Sequence, residues 1–257
     1  MGMLRTPELK TRLNILKIWV DPLSKEECLN KVGDFLKEGT RVHSVFASNP
    51  EKNFSVPKDS LLYETYKSAD LLLPDGVGIV LAARILYGAK LARVAGSDFI
   101  YDICELATRE KYKVFVYGAK EEVNKISVEK LSNRYPGLQI VGRANGYVNE
   151  TEMPELINCI NASKADILFL ALGSPKQEKW FAKYRNSLDS VKVCQGVGGT
   201  LDTIAGTVKR APGIWQKCSA EWLYRLLVEP ARIKRQKMLP IFAGMVFWAY
   251  LKNLLKR

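Results

Sequence analysis

The chain has 257 residues, 47% of them hydrophobic, which is long and apolar enough to bury a full core and excludes an intrinsically disordered protein. Its formal net charge of +12 calls for an anionic partner, whether nucleic acid, anionic lipid or a phosphorylated substrate. Five cysteines without a C-x-x-C pair speak against a disulfide framework or a zinc site, and the single histidine, His43, excludes a poly-His metal centre.

In chain order, residues 1–40 hold a short apolar-polar segment from Ile15 to Val20, then a helix expected from Ser24, with Glu27 completing a capping box. No apolar run typical of a secretory signal is visible near the start. From Arg41 a rhythm sets in of an apolar β-rich segment, a polar or glycine turn, and a helical stretch. The expected strands are Val42–Ala47, Leu71–Leu73, Val114–Tyr117, Gln139–Gly142, Ile167–Leu172 and Val191–Gln195. Spacings of 15 to 30 helical residues between most of them predict an α/β fold with a mainly parallel, doubly wound sheet. The main domain is expected to span 1–208, ending where turn residues cluster near Lys209–Gly213, with residues 209–257 forming an appendage.

The strand ends are where ligands bind in such sheets. Asn49-Pro50-Glu51, Asp75-Gly76, Gly118-Ala119, Ser174-Pro175-Lys176-Gln177 and Gly196-Val197-Gly198-Gly199-Thr200 follow five of the six strands. Each could be plain helix capping: Asn49 and Asp75 as N-caps, Ser174 with Gln177 as an S-x-x-Q box. Several helix N-termini converging on one sheet edge would also suit a diphosphate, with Gly118, Gly196, Gly198 and Gly199 allowing close backbone approach. A nucleotide or nucleotide-sugar is the natural ligand. Neither G-x-G-x-x-G nor the P-loop pattern occurs, which weakens hydride transfer and P-loop phosphoryl transfer. No D-x-D is present to hold a divalent metal at a diphosphate, so leaving-group charge would fall on Arg93 and the arginines of the tail.

The ordered motifs ASNPE (47–51), LLLPDGVGIV (71–80), RVAGSDF (93–99), VYGA (116–119), LGSPKQEKW (172–180), GVGGTLDTIAG (196–206), KRAP (209–212) and EWLYRLLVEPARIKR (221–235) resemble the WecG/TagA/CpsF family of bacterial glycosyltransferases, from about Leu13 to about Leu239. The resemblance implies a Rossmann-like domain carrying an inverting, metal-independent transferase without a cofactor. It would move a sugar, typically N-acetylmannosamine or its uronic acid, from a UDP donor to undecaprenyl-diphosphate-linked N-acetylglucosamine in teichoic acid or polysaccharide synthesis; a related lipid-linked hexosyl or uronosyl transferase of exopolysaccharide synthesis is the alternative. Carried over residue by residue, Asp75 would be the general base, and Gln177 and Arg93 would hold the donor sugar and diphosphate. Asn49 matches a conserved family site, and Asp202 lies where a ribose contact is expected. Where better-known members have Thr two residues before the Asn, this chain has Ala47, which offers no side-chain hydrogen bond.

The tail from residue 209 holds eleven Lys or Arg against Glu221 and Glu229, so it carries +9 of the net charge. Pro230 is expected to start a helix with Arg232 and Arg235 on one face, and Arg225 sits in the helix before it. Met238–Leu251 has no charge but is interrupted by Pro240 and Gly244, too short and too broken to cross a bilayer. An interfacial helix fits it better, and a helix packed on the sheet with a solvated basic face is the plainer reading. The resemblance implies an appendage that docks on the membrane and lends Arg225, Arg232 and Arg235 to the site. The expected partners are a UDP-sugar, the lipid-linked acceptor, an anionic membrane at its cytoplasmic face, and optionally a second copy in a homo-oligomer. A nucleic-acid-binding module is the rival class suggested by the basic tail, and the long uncharged run argues against it.

Overall fold

The computed structural model describes residues 11–208, 212, 215 and 237–255. Arg225, Arg232 and Arg235, and with them the expected helix boundary at Pro230, lie outside the described residues.

A short antiparallel hairpin, β1 (Leu13–Ile15) and β2 (Ile18–Val20), precedes α1 (Lys25–Glu38). The expected capping box forms in full: Ser24 Oγ accepts from the Glu27 amide at 3.2 Å, and Glu27 Oε2 accepts from the Ser24 amide at 2.7 Å. Then come β3 (His43–Ser48), α2 (Lys52–Ser55), α3 (Ser60–Lys67), β4 (Leu71–Pro74), α4 (Val77–Tyr87), α5 (Gly96–Glu110), β5 (Lys113–Gly118) and α6 (Glu121–Arg134). They are followed by β6 (Gln139–Ala144), α7 (Met153–Ala162), β7 (Ile167–Ala171), α8 (Lys176–Tyr184), β8 (Val193–Gly196), α9 (Thr200–Ala205) and, beyond the gap in description, α10 (Met238–Leu254).

The six strands β3 to β8 form one parallel sheet in the order β4-β3-β8-β7-β5-β6. Side chains alternate strictly between its faces, as a period of two requires. Phe46, Leu72, Phe115, Tyr117, Leu168 and Leu170 point into one apolar layer with α3, α4, α7 and α8. Val45, Leu71, Leu73, Val114, Val116, Ile167 and Phe169 point into the other with α1, α5, α6 and α9. Burial on both faces explains why β4, β5, β7 and β8 read as nearly continuous apolar runs, whereas the edge strand β6 is partly exposed. The doubly wound, Rossmann-like α/β architecture is the expected one.

This winding creates the crevice. The helices that follow β3 and β7 pack on the first face, whereas α9, which follows the strand between them, packs on the second. The chain therefore diverges at the carboxyl end of β8, the place where open α/β sheets admit ligands.

The tail departs from expectation in one respect. Pro240 and Gly244 do not break the uncharged run, because α10 is a single helix over Met238–Leu254. Pro240 falls in its first turn, where an amide proton has no intrahelical acceptor and nothing is lost by its absence. Phe242 and Val246, four residues apart, are buried within the first apolar layer, and a Cβ at Gly78 of α4 would lie 3.6 Å from the Phe242 ring. The face turned outward is apolar rather than basic: Ile241, Phe247, Trp248, Tyr250 and Leu254 are exposed. Among the described residues no helix is long and apolar enough to cross a membrane.

Candidate active site

Asp75 follows β4 directly. Its amide donates to Ser48 O at 2.9 Å, which ties it to the end of β3 beside Asn49. Gly76, at a φ of 89° that favours glycine, takes the cap position of α4 and has no side chain to cap it with. Asp75 stands one residue before that cap position. A Cβ built on Gly96 would lie 3.9 Å from Asp75 Oδ2 and 3.4 Å from Ala47 Cβ, so the carboxylate faces the first turn of the fifteen-residue helix α5. The positive end of that helix dipole supports negative charge there. Arg93 belongs to the segment leading into α5, and the next residue, Val94, donates its amide to Pro74 O at 2.9 Å. Arg93 and Asp75 are thus held on adjacent stretches of backbone at the same strand end.

Asn49 is not a cap either, since Glu51 occupies the cap position of α2 without a side-chain bond. A Cβ on Gly76 would stand 3.9 Å from Asn49 Cβ, which sets Asn49 and the Asp75 turn side by side.

Across the crevice, Ser174 and Gln177 do not form the expected capping box. Pro175 takes the cap position of α8 with no side-chain capping bond, and the Ser174-Pro175 peptide is cis. Gln177 instead turns inward, 5% exposed, and its Oε1 accepts from the Gly198 amide at 3.0 Å. It fits there because Gly196 has no side chain: a Cβ would lie 2.4 Å from Gln177 Nε2. Gly198 has a φ of +57° with open space where a Cβ would stand, and a Cβ on Gly199 would be 3.6 Å from Asp202 Oδ2. The Gly196–Gly199 turn therefore links Gln177 on one side of the sheet to Asp202 on the other. Gln195, buried in β8 just before it, donates from Nε2 to Gly96 O at 3.3 Å and so connects this turn to the helix end facing Asp75.

Gly118 sits farther along the rim, and its need for glycine is structural. A Cβ there would meet Ala171 C at 2.4 Å, and the next amide, of Ala119, donates to Ala171 O at 2.9 Å. His43 lies at the opposite, amino end of β3, stacked on Phe35 at 4.1 Å between ring centroids, which is the structural role expected of a lone strand histidine.

Asp75, Asn49, Gln177, Gly198 and Gly199 thus share the carboxyl rim of β4-β3-β8-β7, four adjacent strands spanning roughly 14 Å. Arg93 and Asp202 flank them, and Gly118 marks the next strand. Sequence reasoning missed a group behind this rim. Lys52 and Glu178, only 6% and 1% exposed, pair at 2.8 Å between Lys52 Nζ and Glu178 Oε1. The Tyr66 hydroxyl lies 3.1 Å from the same oxygen. A signal existed: α8 buries Gln177, Trp180 and Phe181 on its apolar stripe, and Glu178 stands on that stripe as a charge where packing asks for an apolar residue.

Fold and rim together mark a Rossmann-like α/β domain whose candidate site is the sheet's carboxyl edge, where the Asp75 and Asp202 carboxylates, the Gly196–Gly199 turn and Arg93 gather. Comparison with known proteins narrows the class. Residues 13–256 match the Glycosyl transferase WecG/TagA/CpsF family, and the chain belongs to it. It is 34% identical over 228 residues to the N-acetylglucosaminyldiphosphoundecaprenol N-acetyl-beta-D-mannosaminyltransferase of Bacillus subtilis (strain 168), covering 89% of this chain and 84% of that one. It is 35% identical over 202 residues to the protein of the same name from Bacillus spizizenii (strain ATCC 23059 / NRRL B-14472 / W23), covering 79% and 77%. The protein is a glycosyltransferase.

Proposed function

We propose that this enzyme transfers N-acetylmannosamine from UDP to undecaprenyl-diphosphate-linked N-acetylglucosamine with inversion and without a metal, in the synthesis of a cell-surface polymer. The relatives' names support the acceptor and the sugar. The observation that carries the mechanism is Asp75 at the carboxyl end of β4, beside Asn49 and against the first turn of α5.

In this reading Asp75 removes the proton from the acceptor hydroxyl as its oxygen attacks the anomeric carbon. The bond from that carbon to the diphosphate oxygen breaks on the opposite side, and UDP departs with the electron pair. Arg93 and the Gly199 amide, whose neighbours Val197 and Gly198 already donate to Leu170 O and Gln177 Oε1, meet the charge that develops, with Asp202 on the ribose. Gln177 acts from beneath, by holding Gly198. Ala47, 3.4 Å from where a Cβ on Gly96 would stand, offers the donor no side-chain hydrogen bond.

The division at residue 209 belongs to the same proposal. The outward face of α10, with Phe247 and Trp248 more than 60% exposed and Lys252 beside them, rests on the membrane at its cytoplasmic face, and Arg225, Arg232 and Arg235 complete the site there. A panel of UDP-sugars assayed with a short-chain lipid-diphosphate N-acetylglucosamine acceptor, with and without EDTA, tests the reading. It expects an EDTA-resistant disaccharide of inverted configuration from UDP-N-acetylmannosamine. Retention, or a requirement for divalent metal, would overturn the mechanism, and turnover with another donor only would overturn the sugar.

A further inference from the structure

We propose that Lys52 and Glu178 are positioning residues of the transfer, a buried strap that locks the turns after β3 and β7 together and so holds Gln177 and the Gly198 amide at the rim. The inference rests on the functional reading above, and the strap itself is read from geometry. Lys52 starts α2, three residues after Asn49, and Glu178 follows Gln177 in α8. The Lys52 ammonium donates to Glu178 Oε1 at 2.8 Å and to Ser174 Oγ, spanning from one strand-end turn to another that is not its neighbour in the sheet.

Glu178 Oε1 is the hub. It takes Lys52, the Tyr66 hydroxyl at 3.1 Å and Gln177 Nε2 at 3.5 Å, while among the described residues no donor reaches the buried Oε2. Well-packed apolar side chains of similar volume would serve stability as well as a buried ion pair. Here the donors converge on one atom, and the elements they come from are those that carry the rim. Gln177 is held at both ends, its Nε2 toward Glu178 and its Oε1 on the Gly198 amide. Tyr66 extends the strap to the other wall, because its hydroxyl also lies 3.1 Å from Ala47 O. Having one proton, it can donate to only one of the two acceptors at a time.

The test separates holding the fold from holding the rim. Lys52→Met/Glu178→Gln replaces the pair with neutral side chains of similar size and avoids an unpaired buried charge. It is expected to melt within a few degrees of the parent, to lose kcat by roughly ten- to hundredfold through misplacement of the rim, and to keep its KM for the UDP-sugar within about threefold. Ser174→Ala cuts only the link from Lys52 to the β7 turn; it should keep the parental melting temperature and lose roughly three- to tenfold in kcat, while Ser174→Thr, which keeps the hydroxyl, restores it.

Amide hydrogen exchange supplies a readout apart from turnover, with faster exchange expected at 173–177 and 196–199 and unchanged exchange in the central strands. Parental kcat and parental exchange in both Ser174→Ala and the double variant would overturn the strap. If the double variant does not fold, Ser174→Ala decides alone. A parent protein that turns over no UDP-sugar would sink the functional reading instead, and the exchange measurement would still judge the strap.

Discussion

The substitution Gly196→Ala tests the packing of the rim with the smallest added group. The new Cβ would lie 2.4 Å from Gln177 Nε2, 2.9 Å from its Cδ and 3.0 Å from the Phe46 ring. The ring belongs to the core and has no space to retreat, so Gln177 must move. Moving it breaks the bond from the Gly198 amide, a net loss of about 1 kcal/mol. Crowding a closed site adds about 1–3 kcal/mol. A total of about 3 kcal/mol corresponds to a fall in Tm of roughly 6–12 °C for a domain of this size. Calorimetry would measure it, with UDP titration on the same samples. The double variant Gly196→Ala/Gln177→Ala removes the side chain that is struck, and should be destabilised by less than the sum of the two single changes. Gly196→Ala melting with the parent and binding UDP unchanged, or strict additivity in the double variant, would refute the contact.

Three further outcomes are expected. Asp75→Asn, which keeps the size of the side chain and an acceptor oxygen, should melt within a few degrees of the parent and should lose roughly 10²–10⁴-fold in kcat if Asp75 is the base; near-parental turnover would remove it from that role. Phe247→Ser/Trp248→Ser, altering two side chains that α10 leaves exposed, should keep the fold and lose co-sedimentation with anionic vesicles; undiminished vesicle binding, or capture by oligonucleotides alone, would contradict the membrane face. Asp70 gives a pH prediction. Burial alone would raise its pKa, but hydrogen bonds from Arg41 and the Ser44 amide outweigh this and hold it below the ordinary carboxylate value. A folded pKa below the unfolded one adds stability above the unfolded value of about 3.9 and loses it as pH falls through the folded value. Asp70→Asn should therefore be less stable than the parent at pH 7, with the gap closing below about pH 4 in urea melts; a gap that persists at pH 2 would refute the assignment.

The sequence was explicit where the physics is local. Apolar runs ended by Gly, Pro or Asn mark β3, β4, β5, β7 and β8 to within two residues, because a strand buried on both faces has no polar alternative and its turn needs particular backbone angles. Ser24 and Glu27 announced α1 for the same reason, since both capping bonds lie within three residues. Local chemistry also misled. Ser174-x-x-Gln177 is spelled as a capping box and is not one, because the Gly198 amide and Lys52 offer those side chains better partners from elements distant in sequence.

Only the tertiary structure decided the strand order, the divergence of α9 from the helices of β3 and β7, and therefore which turns share a rim. It alone revealed that Lys52, 126 residues from Glu178, is that residue's buried counter-ion. Composition can flag a charge on an apolar stripe, but its partner is chosen by how the sheet is wound. A single chain order permits many windings until the two faces are packed.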